Sequence, residues 1–312
     1  MSFVHTERRG RVLTVTLTNP PLNFLTGSIM DELYELFLSL DKDHSVGAVV
    51  LTSGVKDVFI SHYDVGEILH GVEAAGVELP AAVAGSVLRA QSAIEHVPGA
   101  RQLMGRTPAQ GTQSLLRYHQ TCALMQRLNK VFIAAINGRA LGGGSELALA
   151  CDIRIMADGP YQIGQPEICV GIIPGGGGTQ RLPRAVGHAR ALEIMLEGRP
   201  LSPDEAREIG YVHHLVEPER LLEFAAETAE RLARRSPAAV KAIKHAVYGD
   251  PSLASGLHRE RAEFVAAGST KEARAAMRAY LEFLDQLEER GEDISEENFA
   301  PWIEGTAFDF TG

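Results

Sequence analysis

The sequence predicts an α/β protein whose apolar strands alternate with amphipathic helices and lead into a helical C-terminal region. Three observations carry this reading. Strand and helix periodicities alternate up to residue 216, three glycines at 142–144 join an apolar strand to a helix, and beyond 216 only helical periodicity remains.

Residues 12–18 alternate, with Leu13, Val15 and Leu17 on one face and threonines on the other, as a half-buried strand does. Ser28, with Asp31 three positions on, opens a helix that carries Ile29, Leu33, Leu36, Phe37 and Leu40 at helical spacing. Residues 47–53 form a continuous apolar run, the mark of a strand covered on both faces. Asp64 and Glu67 make a second helix-start pair. Residues 65–112 lose strand character and collect Gly, Ala and Pro, which reads as a mobile or partly helical excursion before a helix over 114–128. A strand over 131–136, a helix from Ser145 and a strand over 153–157 then repeat the earlier order. Helices are expected over 237–247, 257–266 and 271–287, the last with Met277, Leu281 and Leu284 in one stripe. The acidic end, 291–312, holds the only tryptophan, Trp302. The expected division is an α/β core over 1–215 with an insertion near 70–112, then a helical region and tail over 216–312.

The 312 residues carry a net charge of -10, with 40 acidic against 30 basic side chains. That balance disfavours nucleic acid or an anionic membrane as partner, and leaves room for a phosphorylated ligand held by local basic groups. Cys122, Cys151 and Cys169 have neither paired nor metal-ligand spacing, so free thiols in a reducing compartment are expected. The charged N-terminus precedes no apolar stretch, and no run reaches transmembrane length, so the expectation is a soluble cytoplasmic protein.

The chemistry is concentrated between 137 and 182. Gly142, Gly143 and Gly144 allow close approach of backbone to a bound group, and a helix's first turn has amides without intrahelical partners, so charge developing on a carbonyl oxygen finds donors there. Glu146 lies in that first turn. Glu167, in Gly164-Gln165-Pro166-Glu167, follows after a helix, a turn, a strand and a second turn, a path that can return it beside Glu146. Two carboxylates in one pocket suit acid and base catalysis, because their surroundings can ionise one and protonate the other.

Competing motifs fail on their own requirements. The glycines at 175–178 are followed by Thr179-Gln180 rather than the Lys-Ser/Thr of a phosphate loop, and neither glycine cluster has dinucleotide-binding spacing, so a turn role near the ligand is expected. Ser145 lacks a nucleophile elbow, and a packing role is expected. His213 and His214 lack further metal ligands at suitable spacing and are expected on the exposed side of a strand end.

Residues 130–182 resemble the signature region of the enoyl-CoA hydratase/isomerase (crotonase) superfamily: Asn137-Gly138, then Gly-Gly-Gly-Ser-Glu146-Leu147, Cys151-Asp152, Gly-Gln-Pro-Glu167, and Pro174 before a glycine cluster. Residues 181–216 and Asn19-Pro20-Pro21-Leu22-Asn23 also fit. The resemblance implies a crotonase-like ββα spiral core and an enoyl-CoA hydratase that adds water across the 2,3 double bond of an acyl-CoA thioester, as in fatty acid metabolism. By the same resemblance, the amides of Tyr63 and Gly143 form an oxyanion hole for the thioester oxygen, Glu146 deprotonates water, and Glu167 delivers a proton to C2. Leu22, Ser61, His62, Asp64, Gly142, Pro166 and Gly175 are the implied substrate contacts. No metal and no resident cofactor is implied, since CoA belongs to the substrate, and a homotrimer or dimer of trimers is. The chain departs from the family at His62 and Tyr63, where small residues are usual, at the excursion after Asp64, and in its C-terminal tail. Those departures leave an isomerase or another CoA-ester lyase, or a non-catalytic CoA-ester binding protein, as alternatives.

Overall fold

The apolar alternation of residues 12–17 buries Leu13, Val15 and Leu17 in one core and turns Val12 into another, on the opposite face of the sheet. In the computed structural model, which describes residues 2–94 and 110–310, this strand is β2 (Val12–Leu17), paired antiparallel with β1 (Val4–Arg9). α1 (Gly27–Leu40) follows. The chain then makes three successive turns, each giving one strand to a large sheet and the next to a small one. They are β3 (Ala48–Ser53) with β4 (Val58–Ile60), β5 (Val131–Ile136) with β6 (Arg139–Leu141), and β7 (Ile153–Ala157) with β8 (Ile163–Gly164). α2 (Val65–Ala75), α3 (Ala81–Ile94) and α4 (Gln110–Arg127) lie between β4 and β5, and α5 (Gly143–Ala150) between β6 and β7. α6 (Gly178–Val186), α7 (His188–Glu197), α8 (Pro203–Glu208) and β9 (His214–Val216) lead to the helical end: α9 (Leu221–Ala233), α10 (Pro237–Tyr248), α11 (Pro251–Gly268), α12 (Lys271–Arg290) and α13 (Glu296–Ile303).

The six-stranded sheet has the order β1-β2-β3-β5-β7-β9, parallel from β2 onward, and the three-stranded sheet β4-β6-β8 is parallel throughout. Successive turns of chain stack closely. A Cβ at Gly138 would sit 1.9 Å from Asp57 O, so the β5–β6 corner requires glycine against the β3–β4 corner beneath it. One face of the large sheet packs with α1, α4 and α5; the other is covered by α9 through Leu221, Ala225 and Ala229. This two-sided burial accounts for the uninterrupted apolar run of β3. The crotonase-like α/β fold with its helical C-terminal region is thus as the sequence predicts.

Several local expectations are corrected. Thr26, not Ser28, caps α1 by accepting from Ile29 N at 3.3 Å; the helix starts earlier because Glu67 Oε2 takes Gly27 N at 2.9 Å. Asp64 does cap α2, accepting from Glu67 N at 2.9 Å. The excursion after Asp64 is helical in its described parts, α2 and α3, while residues 95–109 lie outside the described residues. α11 begins at Pro251 rather than 257, because Asp250 accepts from Ser252 N and starts the helix sooner. His213 is half-buried and accepts from Arg154 N at 2.9 Å, so only His214 stands on the exposed side.

Asp152 joins the helical end to the core. Its Oδ2 receives Phe132 N at 2.8 Å and Lys244 Nζ at 2.7 Å, and its Oδ1 receives Tyr248 O–H at 3.0 Å. Lys244, only 6% exposed, also donates to the carbonyls of Met125 and Lys130. The chain end docks similarly. Arg139 donates to Asp293 and to Ile294 O, and Trp302 of α13 meets Tyr280 of α12 edge-on with ring centroids 5.3 Å apart.

Candidate active site

The corner between β6 and α5 turns on Gly142, whose φ of +46° suits glycine alone and whose missing Cβ would lie 3.2 Å from Glu167 Oε1. One helical turn later, Glu146 is 2% exposed and its Oε1 accepts from Gly176 N at 2.8 Å and Gly178 N at 2.7 Å. These donors are aimed. Buried His119 donates from Nε2 to Gly175 O at 2.7 Å, and since Gly175 O and Gly176 N–H point oppositely across one planar peptide, the imidazole turns the amide onto Glu146. Arg181 donates to Gly176 O at 2.8 Å and places its charge beside Glu146. Burial pushes the Glu146 carboxyl up to about 7, against the pull of the Gly178 and Gly176 amides and of Arg181. The glycines at 175–178 therefore do more than turn the chain: two of their amides hold Glu146.

Glu167 opens the 3-10 turn Glu167–Val170 and is half-buried, facing the same cavity. Burial, and next the charge of Glu146, raise its carboxyl well above the usual range. At neutral pH the arrangement thus favours one ionised and one protonated carboxyl. Gln165 supports Glu167 from behind. With its nitrogen toward the carboxylate it donates to Glu167 Oε1 at 2.9 Å and Oε2 at 3.2 Å, while its oxygen accepts from Ser145 Oγ at 3.2 Å. Ser145, expected to pack only, is therefore a hydrogen-bonding member of this support.

Across the cavity, Leu25 N donates to His62 O at 2.9 Å and Asp64 N to Leu25 O at 2.8 Å. The first of these bonds holds the peptide between His62 and Tyr63 from behind and leaves the Tyr63 N–H pointing away from Leu25. Gly142 O is likewise taken by Glu146 N at 2.9 Å, which aims the Gly143 N–H outward from the helix start. Among the described residues neither amide has an acceptor. They are neighbours, since a Cβ on Gly143 would lie 3.2 Å from Tyr63 N. Tyr118 O–H donates to Gly143 O at 2.6 Å and ties the first turn of α5 to α4.

His62 is neutral and doubly held. Its Nδ1 donates to Tyr63 O at 2.7 Å, so its Nε2 accepts from Tyr280 O–H at 2.9 Å, and burial pushes its pKa down to about 4. The ring forms part of the wall without blocking the cavity, which has a volume of about 330 Å³.

Of the residues singled out in the sequence, Tyr63, Gly143, Glu146, Glu167, His62, Gly142, Pro166 and Gly175 line this one cavity. Leu22, Ser61 and Asp64 are not among its lining residues. Ser61 is fully buried with its hydroxyl accepting from Arg139 Nε, Asp64 is engaged as a helix cap, and Leu22 sits half-buried on the turn before α1. Sequence reading missed Tyr118, His119, Arg181 and Tyr280, which act from elements far off in the chain; His119 and Tyr118, polar residues on the inner face of α4, were the available signal. Glu260, also missed, accepts from Thr179 N and is raised to about 8 by burial and by Glu146. Among the described residues no cluster of His, Cys, Asp and Glu is arranged for a metal ion, and no helix is long and apolar enough to cross a membrane.

The chain is similar to known proteins along most of its length. Residues 7–98 and 100–290 match the family model described as enoyl-CoA hydratase/isomerase. The chain is 32% identical over 279 residues to the short-chain-enoyl-CoA hydratase of Clostridium acetobutylicum, covering 88% of this chain and 93% of that one. It is 32% identical over 286 residues to the mitochondrial enoyl-CoA hydratase of Pongo abelii, covering 90% and 85%. Among solved structures, an enoyl-CoA hydratase from Bacillus anthracis superposes with a TM-score of 0.64 at 28% identity over 93% of this chain and 97% of that one. With a matching family model over most of its length, the chain belongs to the enoyl-CoA hydratase/isomerase family.

Proposed function

We propose that this protein is an enoyl-CoA hydratase, adding water across the 2,3 double bond of an acyl-CoA thioester. The observation that carries the reading is the meeting of two acceptor-free amides and two interacting carboxyls in one cavity. In this mechanism the Tyr63 and Gly143 amides receive the thioester oxygen and stabilise the enolate-like charge that forms as water attacks C3. Ionised Glu146 takes the proton from that water, and protonated Glu167 delivers one to C2. Transfer of a proton from Glu146 to Glu167 then restores the starting state. No metal or resident cofactor enters, because the activating thioester and its CoA arrive with the substrate. The exposed Leu192 and Leu196 of α7, with Ile168 on the neighbouring turn, support an oligomer such as a trimer or pair of trimers, and free thiols at all three cysteines suit the cytoplasm. Turnover of a panel of 2-enoyl- and 3-enoyl-CoA esters tests the reading. Loss of the conjugated double bond with formation of 3-hydroxyacyl-CoA is expected; migration of the double bond alone would make it an isomerase, and binding without turnover a CoA-ester binding protein.

A further inference from the structure

The cavity continues past the two glutamates between α2, α3, α4 and α11, where Val72, Leu79, Val87, Leu115 and Val265 form an apolar chamber. The cavity's 330 Å³ is shared between this chamber and the space beside the two glutamates, so the acyl chain has room to run on beyond the reacting carbons. The inner stripe of α3 runs Ala84, Leu88, Gln91, spaced by four and three residues and so on one face, with exposures of 1%, 0% and 6%. By that pattern position 91 belongs to an apolar side chain. Instead it holds an amide that lines the chamber, and neither its Nε2 nor its Oε1 has a partner among the described residues. A buried amide with both ends unmet is destabilising, and a ligand that supplies the missing bonds removes that cost.

Other polar groups of the wall are engaged. Ser269 Oγ donates to Ala266 O and accepts from Leu79 N, and Glu67 accepts from Gly27 N and Tyr63 O–H. Among the described residues, the chamber's charged lining groups are the carboxyls of Glu67, Glu146 and Glu167. An amide that both donates and accepts matches a neutral group that does the same.

We propose that Gln91 is a distal polar subsite, and that the preferred enoyl thioester has an apolar acyl body bearing a neutral hydroxyl remote from the thioester. The proposal rests on the hydratase reading for its reaction, but not for its binding. The test uses the full chain and a series of 2-enoyl-CoA esters of about six to ten carbons, long enough to extend beyond the two glutamates, each paired with its ω-hydroxy counterpart. At the best-fitting length, kcat/KM for the hydroxylated ester should exceed that of its plain partner by about tenfold or more, and Gln91→Leu should erase or invert that ratio. Gln91→Met is the second variant should Gln91→Leu fail to fold. Dissociation constants of the matching saturated acyl- and ω-hydroxyacyl-CoA esters give a readout independent of turnover. A binding preference that Gln91→Leu removes, with no hydration of any ester, sinks the hydratase reading and leaves this one standing. Hydration with equal kcat/KM for plain and hydroxylated esters at every length, or an unchanged ratio in both variants, overturns the subsite.

Discussion

Glu146 and Glu167 were legible because their short motifs fix both side chains and their supports locally; what sets their protonation was not. That depends on burial, on His119, which orients the Gly176 amide, on the charge of Arg181, and on the Gln165 amide donating to Glu167. Glu146→Gln and Glu167→Gln should each lower kcat by about 10² to 10⁴-fold with the dissociation constant of a saturated acyl-CoA little changed. The pH profile has a definite sign. Raised carboxyls lose activity on the acid side when the base gains a proton, so kcat/KM should fall as pH drops through about 7, where Glu146 becomes neutral. It should also fall at higher pH, where Glu167 ionises, both limbs belonging to the interacting pair. Glu167→Gln should remove the alkaline limb; a surviving alkaline limb of the same midpoint would assign it elsewhere. His62, which the sequence presents as a bulky intruder, is instead a positioning residue wedged between Tyr63 O and Tyr280 O–H. His62→Ala should reduce kcat by about tenfold with a smaller effect on KM, since an oxyanion donor removed outright costs about 3 to 4 kcal/mol and here it is only loosened. His62→Asn, which keeps a short donor, should restore part of the loss; equal kcat in parent and His62→Ala would remove the positioning role.

At the scale of elements, long amphipathic helices and apolar strands could be read, whereas short or exposed strands could not. β1, with burial confined to its first residue, has no apolar alternation to detect, and β4, β6 and β8 are too short for any period to show. Their places are fixed by stacking of corners such as Gly138 on Asp57, a contact between residues far apart in sequence. The attachment of α10 was equally hidden. Lys244 looks like an ordinary surface lysine in sequence, yet it is buried, paired to Asp152 at 2.7 Å and bonded to two carbonyls. Lys244→Met leaves half-buried Asp152 without its cation and should cost about 3 kcal/mol in chemical denaturation. A change below about 1 kcal/mol would show that water already screens the pair.

At the scale of the whole molecule, the cavity belongs to neither part of the chain alone. The spiral core contributes both amides and both carboxyls, and the helical end closes the chamber with Phe264, Val265, Ser269, Tyr280 and Phe299. The sequence showed the two parts but not their joint wall, because the helices that form it follow the signature region by about a hundred residues and carry no motif. This division predicts different consequences for chemistry and for chain recognition. Trp302, 6% exposed, packs on Tyr280 and Phe283 behind the wall, in the cluster that also holds Cys169, Val170 and Ile172. Trp302→Ala should destabilise the protein by about 3 kcal/mol, as truncation of a buried aromatic does. In the fraction that stays folded, the loosened wall should raise KM for esters of about eight carbons or more by several-fold while crotonyl-CoA, which does not reach the chamber, keeps its KM. Such a length-dependent penalty follows only if the tail holds the acyl wall in place; a uniform rise in KM at every chain length, measured below the melting transition, would mean that the tail supports the thioester site itself and that the two parts are not divided in this way.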